Sequence, residues 1–571
     1  MRLPPAAKLL LVAAPVGIGA LALSQTVRPG PDASAAAEQL AKLDPEWQRM
    51  NGCGPGTKGD AKAMPLLAGL APVHYPVATR VPLAQRFFDQ GLAFLYGFEY
   101  NKAERSFAAA SARDPRCAMC LWGQALAKGP NINSGVIPPA EVAAALRLVE
   151  RGLAMPGLDP RERALLDALR VRYQPNPPKA EAGNHGVHAI AFVEAMDGLA
   201  RGYPADDVIA VLAGEAAMNV RPWDYWVDNG RTPRPWAARA LRHVETVLAR
   251  NPDQVEAQHL YIHLTEGSAD PRRAERFADK LRGAAPASAH LVHMPSHTWY
   301  RIGRHADSVE ANLAAVRADD AMARRLGEFN PFYGYWNHHH HFVVSSAEQI
   351  GDRSNALKAA EALEKSTPRG GFGQVLLATA MTARAQFGTR DEVMALRAPD
   401  PKAMPVLRGV WRALRAEALG REGDRAGALR ELGAMANETR TGVDKEARPL
   451  LRIPELVARG RIEQGAGRPR EAVRFFAEAE KIQAGFGYNE PPLWHQPLGS
   501  TLGAALLAAG DAQGARAAFG RALAMRPGNA WALWGQAEAE RRAGDRAAAG
   551  RSLAEFRRIW AGDAAPELNR L

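Results

Sequence analysis

The sequence predicts an all-α fold in which helices pair and the pairs stack into a superhelix, an α-solenoid. Three observations favour this fold: a ladder of small and aromatic residues that occurs twice, glycine-centred turns that recur, and few alternating strand patterns. The chain has 571 residues, of which 47% are hydrophobic and 23% charged. This composition is sufficient for several cores or one long solenoid.

The ladder has the spacing of a tetratricopeptide (TPR) repeat, with small and aromatic residues in the first helix, Ala and Phe in the second, and a closing Pro. It occurs as Gly91, Phe94, Ala103, Phe107, Ala110 and Pro115, and again as Gly503, Leu506, Gly510, Ala515, Phe519, Ala522 and Pro527. A looser form has a turn glycine followed five residues later by Ala or Ser, at Gly303, Gly351, Gly423, Gly467 and Gly544. Glycine tolerates the left-handed turn that such a connection needs. Because the turns are unevenly spaced, we expect a degenerate TPR-like array with a concave face.

The N-terminus has the layout of a secretory signal peptide. Arg2 and Lys8 precede an uncharged apolar run from Leu9 to about Leu23, and small residues suited to cleavage follow. The alternative is an uncleaved anchor, since the run is at the short end of the ~17–25 residues that span a membrane. We expect cleavage, no stable membrane span afterwards, and a periplasmic or secreted protein. The predicted parts are a signal peptide (1–24), an N-terminal linker (25–84), N-terminal TPR repeats (85–170), a central helical part (171–346) and C-terminal TPR repeats (347–571).

Charge and cysteine content narrow the function classes. The formal charge is +11, but Arg alternates with Asp and Glu along the helical segments, which indicates a mixed-sign surface and argues against a nucleic-acid partner. The three cysteines, Cys53, Cys117 and Cys120, are too few for a disulfide scaffold. Export favours one disulfide or buried structural thiols over metal or redox duty, and no His follows Cys120 to suggest haem attachment.

Histidines are concentrated in one part of the chain: ten of the fifteen lie between His259 and His341. Three stripes are predicted, in which residues at i, i+3, i+4 or i+7 share one helical face. The stripes are His259, His263 and Glu266; His290, His293 and His297; and His338 with His341. Pro295 would bend the second stripe or begin a helix there.

Neutral imidazoles and carboxylates at such spacing are ligands for first-row transition metals. The 23 residues between the first two stripes suit an antiparallel return, so we expect all three stripes to meet around one ion or two. Three histidines per ion would suit copper, whereas two histidines with a glutamate would suit zinc or iron. Glu266 is a candidate ligand or, alternatively, a general base toward a metal-bound water.

These segments resemble a family of exported bacterial TPR-repeat proteins. Its motifs are found here at 117–119 (Cys-Ala-Met), 122–123, 129–133 (Gly-Pro-Asn-Ile-Asn), 221–224 (Arg-Pro-Trp-Asp), 259–266 (His-x-Tyr-Ile-His-x-x-Glu), 290–297 (His-Leu-Val-His-Met-Pro-Ser-His), 335–342 and 490–494. The match runs from about Gln85 to Trp560 and departs at His339, where the family has Asn, and at Gly499, where Arg is usual. The resemblance implies a TPR architecture but no particular reaction.

Further polar residues of the same motifs are candidates for binding a substrate or supporting the metal ligands. They are Asn131, Asn133, Arg221, Asp224, Arg301 and Glu490. For the aromatic residues of these motifs, packing in the core is the favoured interpretation.

The sequence therefore predicts an exported TPR-repeat metalloprotein with a His/Glu site in the concave face, and it leaves open whether the site is catalytic. The alternative is a TPR adaptor that binds a protein or peptide partner in its groove without chemistry. A third possibility is a protein that stores or delivers metal. It would differ from a metalloenzyme only in lacking an open coordination position beside a substrate pocket.

Overall fold

A computed structural model describes residues 64–182, 185–327, 335–369, 373–445 and 447–571. The predicted signal peptide, most of the predicted linker and Cys53 lie outside the described residues. Within them the chain is an all-α helical repeat, as predicted. No described helix is both long and apolar enough to cross a membrane.

The N-terminal part consists of helices that pack on their neighbours in chain order. They are α1 (Pro82–Tyr96), α2 (Tyr100–Arg113), α3 (Ala118–Ala127), α4 (Pro139–Leu153), α5 (Pro160–Arg172), the single turn α6 (Lys179–Ala182), α7 (Ala189–Gly202) and α8 (Asp207–Met218). A disulfide joins Cys117 and Cys120 at the start of α3, which is one of the two structural alternatives that the sequence left open.

The central part begins with a small antiparallel hairpin of β1 (Trp226–Val227) and β2 (Thr232–Pro233). The helices that follow are α9 (Pro235–Arg250), α10 (Val255–Glu266), a 3-10 turn (Pro271–Ala274), α11 (Glu275–Leu281), α12 (Ala289–His293), α13 (Pro295–Ile302), α14 (His305–Leu326) and α15 (Trp336–Ile350).

The C-terminal part continues the pairing. Its helices are α16 (Arg353–Ser366), α17 (Gly373–Phe387), α18 (Arg390–Met394), α19 (Pro405–Arg421), α20 (Arg425–Glu438), α21 (Arg448–Gly465), α22 (Pro469–Ala484), α23 (Leu498–Ala508), α24 (Ala512–Met525), α25 (Ala530–Arg542), α26 (Arg546–Ile559) and a 3-10 turn (Leu568–Arg570).

The ladder residues hold the helix pairs together as the sequence predicted. The ring of Phe107 is fully buried between Gly91 and Gly123, and a Cβ at either glycine would lie within 2.5 Å of that ring. The second ladder repeats this contact, with Phe519 packed against Gly503 and Gly535. In both repeats the missing side chain allows the aromatic ring to pack directly against a neighbouring helix.

The predicted turn glycines adopt the left-handed conformation. Their φ values lie between 73° and 90° at Gly303, Gly351, Gly423, Gly467, Gly510 and Gly544. In four of these turns the next residue is an aspartate that caps the following helix by accepting a backbone N–H bond, at Asp352, Asp424, Asp511 and Asp545. Such caps satisfy N–H groups that the first turn of a helix leaves without partners.

The C-terminal helices return to the middle of the chain instead of extending away from it. The Trp531 indole donates to the main-chain oxygen of Glu348 (2.6 Å), and the Ala561 amide donates to that of Ile350 (2.8 Å). The backbone at Gly303 approaches Pro527 so closely that a Cβ would lie 2.7 Å from a main-chain carbon. This closure encloses space on the C-terminal side of α15.

Candidate metal centre

Helix α10 brings the first predicted stripe into the interior. Every residue of this helix is buried, although its sequence contains two glutamates and two histidines. Burial of so many ionisable groups is costly unless each has a partner or a ligand. The stripe of His259, His263 and Glu266 faces the second stripe across the core.

The second predicted stripe remains helical in spite of Pro295. Helices α12 and α13 meet at Met294, whose φ of −51° and ψ of −38° are helical, and Pro295 takes the first position of α13. A proline is tolerated there because a helix has no partner for that N–H. The chain is therefore almost continuously helical across the motif, which keeps its three histidines close to one face, at His290, His293 and His297.

Three buried imidazoles form what we call the closed triad: His259, His263 and His290. One nitrogen from each lies within 4.8 Å of the other two, and the Nε2 atoms of His259 and His290 are 3.0 Å apart. Their exposed fractions are 0, 2 and 3%. Phe98 packs over this group, with its ring centroid 4.4 Å from that of His259.

Three further imidazoles form the half-open triad: His293, His297 and His338. Their ligand nitrogens also lie within 4.8 Å of one another, and the Nε2 atoms of His293 and His297 are 2.7 Å apart. His293 and His297 are buried, whereas His338 is half-buried. Phe342 packs against all three rings at 4.8 to 5.0 Å.

Glu266 links the two triads. Its Oε1 accepts from Nδ1 of His263 at 2.8 Å, and its Oε2 contacts Nδ1 of His297. One carboxylate thus orients one imidazole of each triad and leaves the Nε2 atoms on the opposite sides of the rings. The same three residues also form a third group whose ligand atoms lie within 4.8 Å.

The hydrogen bonds of Asn312 fix the orientation of His293. The Asn312 amide nitrogen donates to the Ser308 carbonyl at 2.8 Å, so the atom that faces Nδ1 of His293, at 2.6 Å, is the amide oxygen. Nδ1 must therefore carry the proton, and Nε2 is left with its lone pair. In the closed triad Nδ1 of His259 faces Glu256 at 3.0 Å, and Nε2 of His263 is buried without a hydrogen-bond partner among the described residues.

The electrostatic environment favours neutral imidazoles. Burial is the largest cause that lowers the pKa of His259, His263, His290, His293 and His338, and neighbouring histidines lower it further. His297 differs: burial lowers its pKa, but the adjacent Glu266 carboxylate reverses the effect and raises it overall. Burial would likewise raise the pKa of Glu266, yet its two histidine partners hold it below the ordinary value.

Two of the predicted polar residues, Glu490 and Arg301, lie around Tyr488, whose hydroxyl contacts Glu266. The Tyr488 hydroxyl lies 2.7 Å from Oε2 of Glu266 and 2.9 Å from Oε2 of Glu490. Burial raises the pKa of Glu490 to about 7, and its other oxygen has no hydrogen-bond partner among the described residues. The Arg301 guanidinium lies over the Tyr488 ring at 5.3 Å. This side of the site therefore has a carboxyl that can exchange a proton near neutral pH.

Asn133 and Asn131 support the wall of the closed triad. The Asn133 amide donates to the Tyr335 hydroxyl at 2.8 Å, and the Tyr335 ring lies 4.3 Å from that of His290. Asn131 is buried, and its side-chain oxygen accepts from the Asn133 backbone at 2.8 Å. Both asparagines thus support the closed triad through Tyr335.

Arg221 and Asp224 form an ion pair at 2.8 Å, and Asp224 also pairs with Arg234 at 2.6 Å. The loop that they hold carries Trp223, whose ring is edge-on to His263 at 5.3 Å. These charges position an aromatic wall of the closed triad.

The structure does not bring His341 to either triad. Its Nε2 lies 3.1 Å from the Thr379 hydroxyl, on the C-terminal side of α15. A helical face brings His338 and His341 to the same side of α15, but the elements that pack along this side differ at the two positions. His338 meets α12 and α13, whereas His341 meets α17.

Sequence reasoning missed several residues that shape the site. Glu256 precedes His259 by three residues, as Glu266 follows His263 by three, so helical spacing could have revealed it. Asn312 and Tyr488 come from distant segments and have no spacing signal. Phe98 and Phe342 are aromatic residues whose position over the imidazoles only the fold reveals.

No protein-family model matches the chain, and no curated protein matches it either. Among solved structures, the chain is similar to the TPR domain of P58(IPK), with 14% identity over 81% of this chain and 98% of that one at a TM-score of 0.21. It is also similar to the human IFIT1 dimer with m7Gppp-AAAA, with 10% identity over 94% and 97% and a TM-score of 0.30. For the APC/C hetero-tetramer Cut9-Hcn1 the identity is 14% over 85% and 88%, with a TM-score of 0.24. Scores this low carry no information about function, and the fold assignment depends on the helix pairs described above.

Proposed function

We propose that this chain is a metalloprotein that holds first-row transition-metal ions in the closed and half-open triads. One observation carries the proposal: six imidazoles converge in two groups, and several of them are held at Nδ1 by an acceptor while Nε2 faces the other rings. Metal-bound histidines characteristically donate a hydrogen bond from the N–H of their second ring nitrogen to a carboxylate or carbonyl oxygen in this way.

The facing nitrogens are slightly closer together than two ligands of one ion, so a small outward movement of the rings would admit an ion between them. Two nitrogens that each lie about 2.0–2.1 Å from one tetrahedral ion are about 3.3 Å apart. The facing pairs here are 3.0 and 2.7 Å apart. Without an ion, facing lone pairs at this distance repel unless a proton lies between them. The raised pKa of His297 supplies such a proton in the half-open triad. In the closed triad neutral His290 can place its one proton on Nε2, toward His259, and Nε2 of His263 then remains without a hydrogen-bond partner among the described residues.

Two ions fit the arrangement better than one, because the two triads have no residue in common. Three neutral imidazoles suit copper or zinc, and iron also accepts them. Glu266 is then the shared orienting carboxylate. In the alternative arrangement Glu266 is itself a ligand together with His263 and His297, whose Nδ1 atoms already face it. A bound ion would supply a Lewis acid or, with copper or iron, a redox centre.

Elemental analysis of protein purified without chelators tests the proposal. We expect about two ions of zinc, copper, iron or manganese per chain, and His263→Ala and His293→Ala should each lower that content without loss of helicity. His74→Ala is the matched control, since this exposed histidine pairs only with Asp89 in the N-terminal part. Wild-type protein without stoichiometric metal would defeat the proposal, and a partner protein that still binds after chelation would then favour an adaptor.

We also propose that the protein works outside the cytoplasm, in the periplasm or as a secreted protein. The Cys117–Cys120 disulfide supports this location, because such bonds persist mainly in oxidising compartments. N-terminal sequencing of exported protein should start near residues 23–25. An intact Met1 would instead support an uncleaved anchor.

A further inference from the structure

A second candidate site lies in the C-terminal part of the molecule and shares no residue with the triads. The return of the C-terminal helices forms a half-open cavity of about 1280 Å³. It is lined by the C-terminal ends of α15, α17, α19 and α21, by α23 and by the segment 560–571. This volume exceeds the 300–1,000 Å³ of ordinary small-molecule sites, so an organic ligand fits with room for water.

An arginine cluster forms one wall of this cavity. Arg421 donates to the Glu417 carboxylate at 2.6 Å, and Arg461 contacts the same carboxylate at 3.4 Å. Arg570 lies close enough to interact with Arg421 and Glu417, and it donates to the Gly388 carbonyl at 2.9 Å. Two guanidinium groups therefore contact one half-buried carboxylate, and a third lies near it.

Arg461 is the most unusual member of the cluster, because only 2% of its side chain is exposed. Its remaining bonds go to the Gln464 side-chain oxygen at 2.9 Å and to the main-chain oxygen of Leu571. Burial and the neighbouring Arg421 lower its pKa to about 9. The fold holds this buried cation next to other cations, which an additional anion would stabilise.

The other walls add unpaired hydrogen-bonding groups and apolar surface. The Trp494 indole N–H and the Ser500 hydroxyl line the cavity and are buried without a hydrogen-bond partner among the described residues. Trp531, Trp560 and Phe387 also line it. A ligand with an acceptor group and an apolar body would pair with both kinds of surface.

The overall charge of the lining narrows the ligand class. Six arginines are balanced by six carboxylates, namely Arg353, Arg390, Arg421, Arg461, Arg542 and Arg570 against Glu348, Asp352, Glu417, Glu422, Asp563 and Glu567. A phosphate dianion would face repulsion from the acidic residues, whereas one carboxylate matches the planar fork of a guanidinium with a single charge. We propose that the cavity binds a small organic molecule through a carboxylate held by Arg461 and Arg570, with its apolar part against the tryptophans.

Ligand-observed NMR with phenylacetate, its neutral isostere phenylacetamide and inorganic phosphate tests this site on the full chain. We expect phenylacetate to bind at least about tenfold more tightly than phenylacetamide, the ratio that about 1.4 kcal/mol of charge-assisted hydrogen bonding gives. Equal binding of the amide, or binding of phosphate alone, would overturn the proposal.

Arginine variants locate the site. Arg461→Gln and Arg570→Gln should each weaken phenylacetate binding about tenfold, whereas Arg542→Gln should not, since Arg542 lines the cavity but pairs with Glu538. If circular dichroism shows that Arg461→Gln does not fold, the proposal is still tested by Arg570→Gln, which changes a half-buried residue, and by the comparison of phenylacetate with phenylacetamide. Binding should be the same in metal-loaded and chelated protein. Unchanged binding in Arg570→Gln, or loss of binding on chelation, would contradict a separate carboxylate site.

Discussion

The closed and half-open triads use the same ligand type but differ in their surroundings. The closed triad is buried beneath Phe98 and Trp223. The half-open triad has the half-buried His338 on one side and the raised-pKa His297 on the other. Structural metal sites are typically closed, whereas sites that exchange ligands keep an open position. We therefore expect an ion in the closed triad to be retained and one in the half-open triad to be accessible to solvent molecules.

The triads also differ in how their protons compete with metal. In the half-open triad, Glu266 favours a proton on His297, so binding an ion must release that proton. In the closed triad the pKa of each imidazole is lowered. There the carboxyl of Glu256 is the group with a raised pKa, because it is buried and near Glu215. On this proposal, Glu266 is the residue expected to couple the two sites.

The largest effect is expected from Glu266→Gln, because this carboxylate orients one histidine of each triad. Loss of a carboxylate that holds a metal-bound histidine typically weakens metal affinity about 10–100-fold. Metal content after dialysis should therefore fall at both sites. Glu256→Gln is the matched control: Glu256 contacts His259, a member of the closed triad, so this change should affect only the closed triad. Loss of one ion in both variants would contradict a coupling role for Glu266.

An intermediate effect is expected from His338→Ala, which removes one ligand of the half-open triad. Metal content should fall from about two ions per chain to about one, because the remaining two imidazoles hold an ion weakly. His341→Ala provides a control on the same helix, where the side chain contacts Thr379 and neither triad. Elemental analysis should find His341→Ala unchanged. An equal loss in both variants would indicate that α15 is disturbed generally and would remove His338 from the ligand set.

The smallest effect is a pH dependence of the half-open triad, measured in His259→Ala so that only this site remains intact. The pKa of His297 is raised in the folded protein, so below it His297 is protonated and metal must displace one proton. Affinity should therefore fall about tenfold per pH unit below that pKa and level off above it. Adding Glu266→Gln should shift the fall to lower pH. A profile that does not respond to Glu266→Gln would contradict the assignment to His297.

Local patterns predicted those parts of the fold that depend on near neighbours. Phe107 and Phe519 pack against glycines as the ladder required, and Gly351 and Gly510 adopt left-handed turns. The closure of the C-terminal helices could not be predicted, because the contact between Trp531 and Glu348 joins residues far apart in sequence. The cavity of the C-terminal part follows from that closure and was missed for the same reason.

In the candidate site, too, features set by neighbours in sequence could be predicted, whereas features set by distant contacts could not. Helical spacing predicted that His259, His263 and Glu266 share a face, and it predicted the second stripe despite Pro295. It could not separate His338 from His341, since both lie on one face of α15 and only tertiary packing decides what each meets. Asn312 and Tyr488 orient the site from elements with no recognisable motif, so their roles required the fold.

The most direct test of two ions in two triads is a crystal structure of native protein with anomalous diffraction recorded at the absorption edges of the metals found. We predict two peaks per chain, one within about 2.0–2.3 Å of nitrogens of His259, His263 and His290, and one at the same distance from His293, His297 and His338. A single peak bound by Glu266 together with His263 and His297 would contradict the two-site account, and the absence of any peak in this region would contradict metal binding itself.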